Sequence, residues 1–171
     1  GSNAFLATRI SFINEVASIC ENVGADIKTV VQGLGLDPRI GSGYLNPGIG
    51  FGGPCLEKDL LALMSFSELH GYAPGFLESV LARNDQQVSQ VVDRALGLAG
   101  PGGRIAVLGL AFKAGTNDVR NSLSIRIIED LVTAGASVCA SDPMSISAAR
   151  TMLPDIDYDE DPYTAATDAD L

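Results

Sequence analysis

The chain of 171 residues has no tryptophan, one histidine and three cysteines, and each scarcity closes off a class of chemistry. His70 alone cannot supply the imidazoles of a zinc centre. Cys20, Cys55 and Cys139, odd in number and irregular in spacing, make neither a disulfide framework nor a metal knuckle, so no metal is expected. A reducing cytoplasm is the natural setting. No apolar run approaches the ~18 residues of a membrane span, and no basic-then-apolar leader opens the chain. Positive charge is sparse as well. Lys plus Arg number 11 against 21 Asp plus Glu, and the net charge of −10 argues against nucleic acid or an anionic membrane as partner. Asp155, Asp157, Asp159, Glu160, Asp161, Asp168 and Asp170 crowd the last stretch with no Lys or Arg among them. The first 150 residues can therefore still receive an anion such as a nucleotide.

What is present is ordinary globular composition, 46% hydrophobic and 19% charged, enough to bury a core in one or two domains. Gly1-Ser2 reads as a vector scar that could extend through Asn3-Ala4. Phe5, Leu6, Ile10, Ile13, Val16, Ala17 and Cys20 recur at spacings of three and four, predicting a helix over residues 5 to 23 that Gly24 ends. Asp26 can cap a short helix from Ile27 to Gln32. Residues 35 to 53 hold seven glycines and two prolines, too many for regular structure, and a loop this long is usually functional. Cys55 to His70 and Phe76 to Leu98 read as further amphipathic helices. Residues 1 to 98 thus form an all-helical domain whose apolar faces can build a private core or a homodimer interface, and a homodimer is expected.

Ala99-Gly-Pro-Gly-Gly103 reads as a linker, after which the period changes. Arg104 to Phe112 is a continuous apolar run typical of a strand buried on both faces of a parallel sheet. Asn121 or Ser122 can cap a helix from Leu123 to Thr133. Ala136 to Asp142 reads as a second strand, completing a βαβ unit. A helix over 145 to 153 and a short strand beyond Pro154 would follow. Two or three strands are few for a doubly wound sheet, so residues 104 to 171 read as an incomplete parallel α/β domain within a fragment of a longer protein. An unfinished sheet edge invites association with another copy.

The densest chemistry lies in Gly48-Ile-Gly-Phe-Gly-Gly-Pro-Cys-Leu-Glu-Lys-Asp59. A glycine loop delivers Cys55 to the start of a helix, where backbone N–H groups and the charge of Lys58 favour a thiolate. Cys55 reads either as a nucleophile or as a buried structural cysteine. Asp59, one turn on, would oppose the thiolate unless it holds a water or a hydroxyl. The loop satisfies G-x-G-x-x-G, but Tyr44-Leu-Asn-Pro47 is no strand, and the fingerprint has meaning only between a strand and a helix. Arg39 could grip a phosphate or be a solvated charge. Lys113 and Arg120 flank the turn after the first strand, the end of a parallel sheet where ligands collect. His70, beside Gly71, suits capping better than chemistry.

Asn3 to Glu15, Asp37-Pro-Arg-Ile-Gly41, Gly50 to Asp59, Leu108 to Lys113 and Asp118-Val-Arg120, taken in order, resemble the UDP-glucose/GDP-mannose dehydrogenase family. The resemblance covers the family's helical dimerisation domain and the start of its Rossmann-like UDP-binding domain. It implies a reaction: oxidation of a nucleotide-sugar C6 hydroxyl, that of UDP-glucose foremost, to a carboxylate by two NAD-dependent hydride transfers, with a cysteine carrying the aldehyde as thiohemiacetal and then thioester. By similarity Cys55 is that nucleophile, Asp59 orders water, and Asn3 hydrogen-bonds the reacting oxygen. Arg39, Tyr44, Asn46, Pro47, Gly48, Ile49, Gly50, Phe51, Gly52, Phe112 and Lys113 would meet the UDP-sugar, Arg39 often from the neighbouring subunit. Cys55, Lys58 and Arg120 would lie against NAD.

The family's N-terminal NAD domain is absent, so the chain by itself is expected to be inactive while its parent is an enzyme. GDP-mannose or a UDP-N-acetyl sugar are alternative substrates. Two readings compete from outside: a thiol hydrolase using His70 as base, and a non-catalytic dimerisation module.

Overall fold

A computed structural model describes residues 1–171. The chain divides into two compact units, one of Gly1–Phe51 with Cys55–Gln87, the other of Gly52–Pro54 with Val88–Leu171.

The first unit is helical. It comprises α1 (Ser2–Val23), α2 (Ile27–Gly35), α3 (Leu56–Leu69) and the first half of α4 (Gly75–Ala99). Helix α1 starts three residues before the apolar period does, because Phe5 N–H already reaches the carbonyl of Gly1 at 3.0 Å. It ends where Gly24 turns left-handed, with φ of 72°. The Asp26 carboxylate accepts from the N–H groups of Lys28 and Thr29, starting α2 as its sequence position predicts. Ala4, Ala7, Phe51, Leu60 and Val80 form the buried centre, with Ile10, Leu56 and Leu63 packed around them. Leu60 is wholly buried, worth about 2 kcal/mol relative to exposure. The small Ala4 and Ala7 let α1 approach α3 closely.

The second unit is a parallel sheet with helices. Strands β1 (Arg104–Leu108), β2 (Ser137–Ser141) and β3 (Asp157–Tyr158) lie in that order, with Ala106 opposite Cys139 and Cys139 opposite Asp157. Helix α5 (Leu123–Thr133) crosses between β1 and β2 and buries Ile125, Ile128 and Leu131 against Ile105, Val138 and Ala140. Val88, Val92 and Ala95 from the second half of α4 join the same core. Two short helices, α6 (Ile146–Arg150) and α7 (Pro162–Ala165), complete the unit. The acidic stretch is partly cap chemistry: Asp161 accepts from Tyr163 and Thr164 N–H groups to open α7. The last residues lie along the outer edge of β1, Asp170 N–H donating to Arg104 and Ala106 N–H to Leu171.

Strand β1 stops at Leu108, short of the Phe112 that its apolar run predicts. Gly109 has φ of 100° and donates to Ser141, after which Leu110 N–H turns to the Asp142 carboxylate at 2.8 Å. Hydrophobicity persists beyond the ladder because Leu110 is still core. No helix is long and apolar enough to cross a membrane.

Candidate functional site

In the helical unit, Cys55 is the residue that caps α3 rather than a member of its first turn, and its thiol is exposed. Its carbonyl accepts from Asp59 N–H at 3.1 Å, which places the Asp59 carboxylate one turn above the thiol. A side chain at this position lies beside the unpaired N–H groups of a helix start. Asn3, more than fifty residues away in sequence, reaches across from α1 and donates from Nδ2 to Asp59 Oδ2 at 2.7 Å. Lys58 Nζ stands 3.7 Å from the other oxygen. Asp59 is therefore held from two sides beside Cys55. His70 is at the opposite end of α3, about 20 Å along a helix of this length, with Nδ1 on the carbonyl of Phe66 at 2.8 Å and its ring against Phe66. It caps the helix. A Cys55–His70 dyad is ruled out, and with it the thiol hydrolase reading.

The loop that leads to Cys55 is ordered by side chains the sequence reading did not single out. Asn14 Oδ1 accepts from Gly48 N–H, Gln87 Nε2 donates to the Gly48 carbonyl, and the Asn84 side chain bonds both N–H and C=O of Phe51. Arg9 donates to the carbonyls of Ile40 and Gly41. A signal existed: Val80, Asn84 and Val88 share one helical face, and an amide in the middle of an apolar stripe must find partners. Phe51 is buried, Pro47 and Gly50 half-buried, and Asn46, Gly48 and Ile49 exposed. Tyr44 is exposed with φ of 57°. Arg39 is exposed and grips Asp37 through Nε and Nη2, which holds the Asp37 carboxyl below its usual range. The loop runs from a turn into α3, not from a strand, so its glycines are no dinucleotide fingerprint.

In the α/β unit, the turn after β1 carries the other candidates. Lys113 Nζ lies 5.3 Å from the Phe112 ring centre, a cation–π contact. Arg120 binds the Asp118 carboxylate through Nε and Nη2, pulling its pKa down to about 2. Gly52 and Gly53 belong to this unit. Gly53 N–H donates to Asn121 O at 2.8 Å. A Cβ on Gly52 would come within 2.4 Å of that same oxygen, and one on Gly53 within 2.5 Å of the Phe112 ring. Asp142 anchors the turn from below. Burial alone would raise its pKa, but N–H groups of Leu110, Met144 and Ser145 outweigh that and leave it lowered.

Two stretches of the chain match known domains: residues 1–86 the UDP-glucose/GDP-mannose dehydrogenase family, central domain, and residues 106–171 that family's UDP binding domain. The chain belongs to this family. Among its members, UDP-glucose 6-dehydrogenase TuaD of Bacillus subtilis is 47% identical over 99% of the chain, and a UDP-glucose 6-dehydrogenase of Rhizobium meliloti 43% over 98%. The solved structure of a UDP-glucose dehydrogenase from Pyrobaculum islandicum superposes with a TM-score of 0.91 at 40% identity over 98% of the chain. The chain spans 37% and 39% of the length of those two curated dehydrogenases and 40% of the solved one.

Proposed function

We propose that a full-length dehydrogenase containing this chain oxidises the C6 hydroxyl of UDP-glucose to a carboxylate, using Cys55 as covalent carrier. The observation that carries this reading is the meeting of Asn3 and Asp59 beside the exposed Cys55 at the head of α3. NAD, when bound, accepts one hydride in each of two oxidations. Lys58 and Arg120 are exposed cations whose chemistry suits its diphosphate.

The residues divide the work. Once C6 is an aldehyde, the Cys55 sulfur adds to the carbonyl carbon, and the new alkoxide takes a proton to give a thiohemiacetal. In this reading Asn3, whose Nδ2 carries a second N–H besides the one given to Asp59, donates to the reacting oxygen. Loss of a hydride and a proton from that adduct leaves a thioester. Asp59, held by Asn3 and Lys58, orients a water and takes its first proton as the water oxygen bonds to C6; the C–S bond breaks, the thiolate returns, and the acid gives its remaining proton to solvent to leave a carboxylate. In this reading the Gly48–Phe51 backbone surrounds the sugar, and Phe112 and Lys113 are nucleotide-sugar contacts carried over from the family resemblance.

The same reading pairs two copies through the helical unit. Along α1 and α4 an open apolar groove of about 650 Å³ is lined by Phe5, Phe12 and Phe76, with Arg9 and Glu15 on its walls. The three rings are exposed in one chain. A face carrying both signs of charge and protruding rings suits a two-fold, self-complementary contact.

The test is the stoichiometry of NADH per sugar in the full-length protein, with UDP-glucose and GDP-mannose, for wild type and Cys55→Ser. Two NADH per UDP-glucose, and loss of turnover by about 10³-fold or more in the variant, are expected. One NADH per sugar, or an active Cys55→Ser enzyme, would sink the covalent route.

A further inference from the structure

Three side-chain amides on two helices grip the backbone of the loop that precedes the nucleophile. Asn84, 5% exposed, bonds Phe51 twice, its Oδ1 accepting from the N–H at 2.8 Å and its Nδ2 donating to the carbonyl at 2.9 Å. Asn14, 1% exposed, accepts from Gly48 N–H at 2.8 Å. Gln87 donates to the Gly48 carbonyl at 2.7 Å. Arg83 ties these amides together. Its Nη2 donates to the Asn14 carbonyl at 2.8 Å and to Gln87 Oε1 at 2.9 Å, while Glu15 stands 2.6 Å from its Nε and balances the charge.

Apolar residues would fill the buried Asn14 and Asn84 positions at lower cost, since a buried amide gives up its bonds to water, and Asn14 Nδ2 recovers none. The amides bond peptide groups at both ends of a tetrapeptide that contains two glycines. A backbone that free loses much entropy on being fixed, and Gly50 sits at φ of 116°, where other residues rarely go. Ile49 and Gly50, between the two clamped residues, make no backbone hydrogen bond inside the chain. Their peptide groups stay available to a ligand.

We propose that Asn14, Asn84 and Gln87 are positioning residues for the nucleotide-sugar: by clamping Gly48 and Phe51 they set the geometry in which the Ile49-Gly50 peptide groups meet the sugar. The proposal rests on the reading above that this loop surrounds the sugar. It assigns the three amides to sugar binding rather than to NAD binding or to general stability.

Gln87→Glu in the full-length enzyme separates these roles. The carboxylate keeps, and strengthens, the bond to Arg83, but it turns an oxygen toward the Gly48 carbonyl in place of an N–H. The melting temperature should hold or rise, while KM for UDP-glucose increases about fivefold, the worth of one such bond, and KM for NAD stays put. Asn84→Asp keeps the acceptor for Phe51 N–H and loses the donor, and Asn84→Ala loses both. KM for the sugar should climb about tenfold or more across this pair. An unchanged KM in Gln87→Glu, or sugar and NAD constants that move together, would overturn the proposal, even if the Asn84 variants fail to fold. A wild type that oxidises no nucleotide-sugar would instead overturn the functional reading and this proposal with it.

Discussion

Gly53 is the residue on which the tail of the glycine loop turns. Its φ of 83° lies where side chains strain the backbone, and the space a methyl would need is filled by the Phe112 ring. Gly53→Ala must therefore pay strain and displace an aromatic ring at once, and should destabilise the α/β unit by about 2 kcal/mol or more. Urea denaturation would measure this, and an unaltered midpoint would disprove the packing argument. The glycines were conspicuous in the sequence, as was Cys55. The reason for Gly53 was not, because its neighbour Phe112 lies two helices and a strand further along the chain. Local pattern reports period and punctuation and is silent on distant partners. Asp59 stood out by its place one turn after Cys55, Asn3 only through family resemblance, and nothing in their spacing foretells a 2.7 Å bond. Asn84 was readable in principle, as a polar break in an otherwise apolar stripe.

At the scale of elements, Asp142 links the end of β2 to the turn after β1 and to the approach to α6. Its carboxylate accepts from Leu110, Met144 and Ser145 N–H groups in a nearly buried setting. Because the folded pKa is lowered, the stabilisation is complete above the unfolded value near ~3.9 and is lost as pH falls through the folded one. Asp142→Asn can satisfy fewer of these donors, and should cost about 2 kcal/mol at pH 7. Denaturation at pH 7 and pH 3 should also reveal a smaller acid loss in the variant than in wild type, and equal losses would refute the assignment. Element type was legible along most of the chain, since helical period three-to-four and a strand-length apolar run are local facts. The overreach of β1 to Phe112 had a physical origin. Burial continues past the last ladder bond, and hydrophobicity records burial rather than hydrogen bonding.

For the whole molecule, the proposed pairing would cover the protruding Phe5, Phe12 and Phe76. Light scattering should give about twice the 17.8 kDa of the chain, and Phe12→Glu should return it to a monomer by placing an uncompensated charge in the contact. A monomeric wild type would refute the pairing. The parallel α/β character and the helical first unit were both legible, from the change of period after residue 103. The short strand expected beyond Pro154 is β3; what stayed hidden in the acidic stretch was α7, a single turn held by the Asp161 cap with no period to detect. The thiols carry a last consequence. Cys20 and Cys139 are shut inside the helical and sheet cores, while Cys55 faces solvent. A maleimide dye or nitroxide added to the folded chain therefore marks one point in it without any engineered cysteine. In the proposed pair, two such marks would become a molecular ruler across its axis.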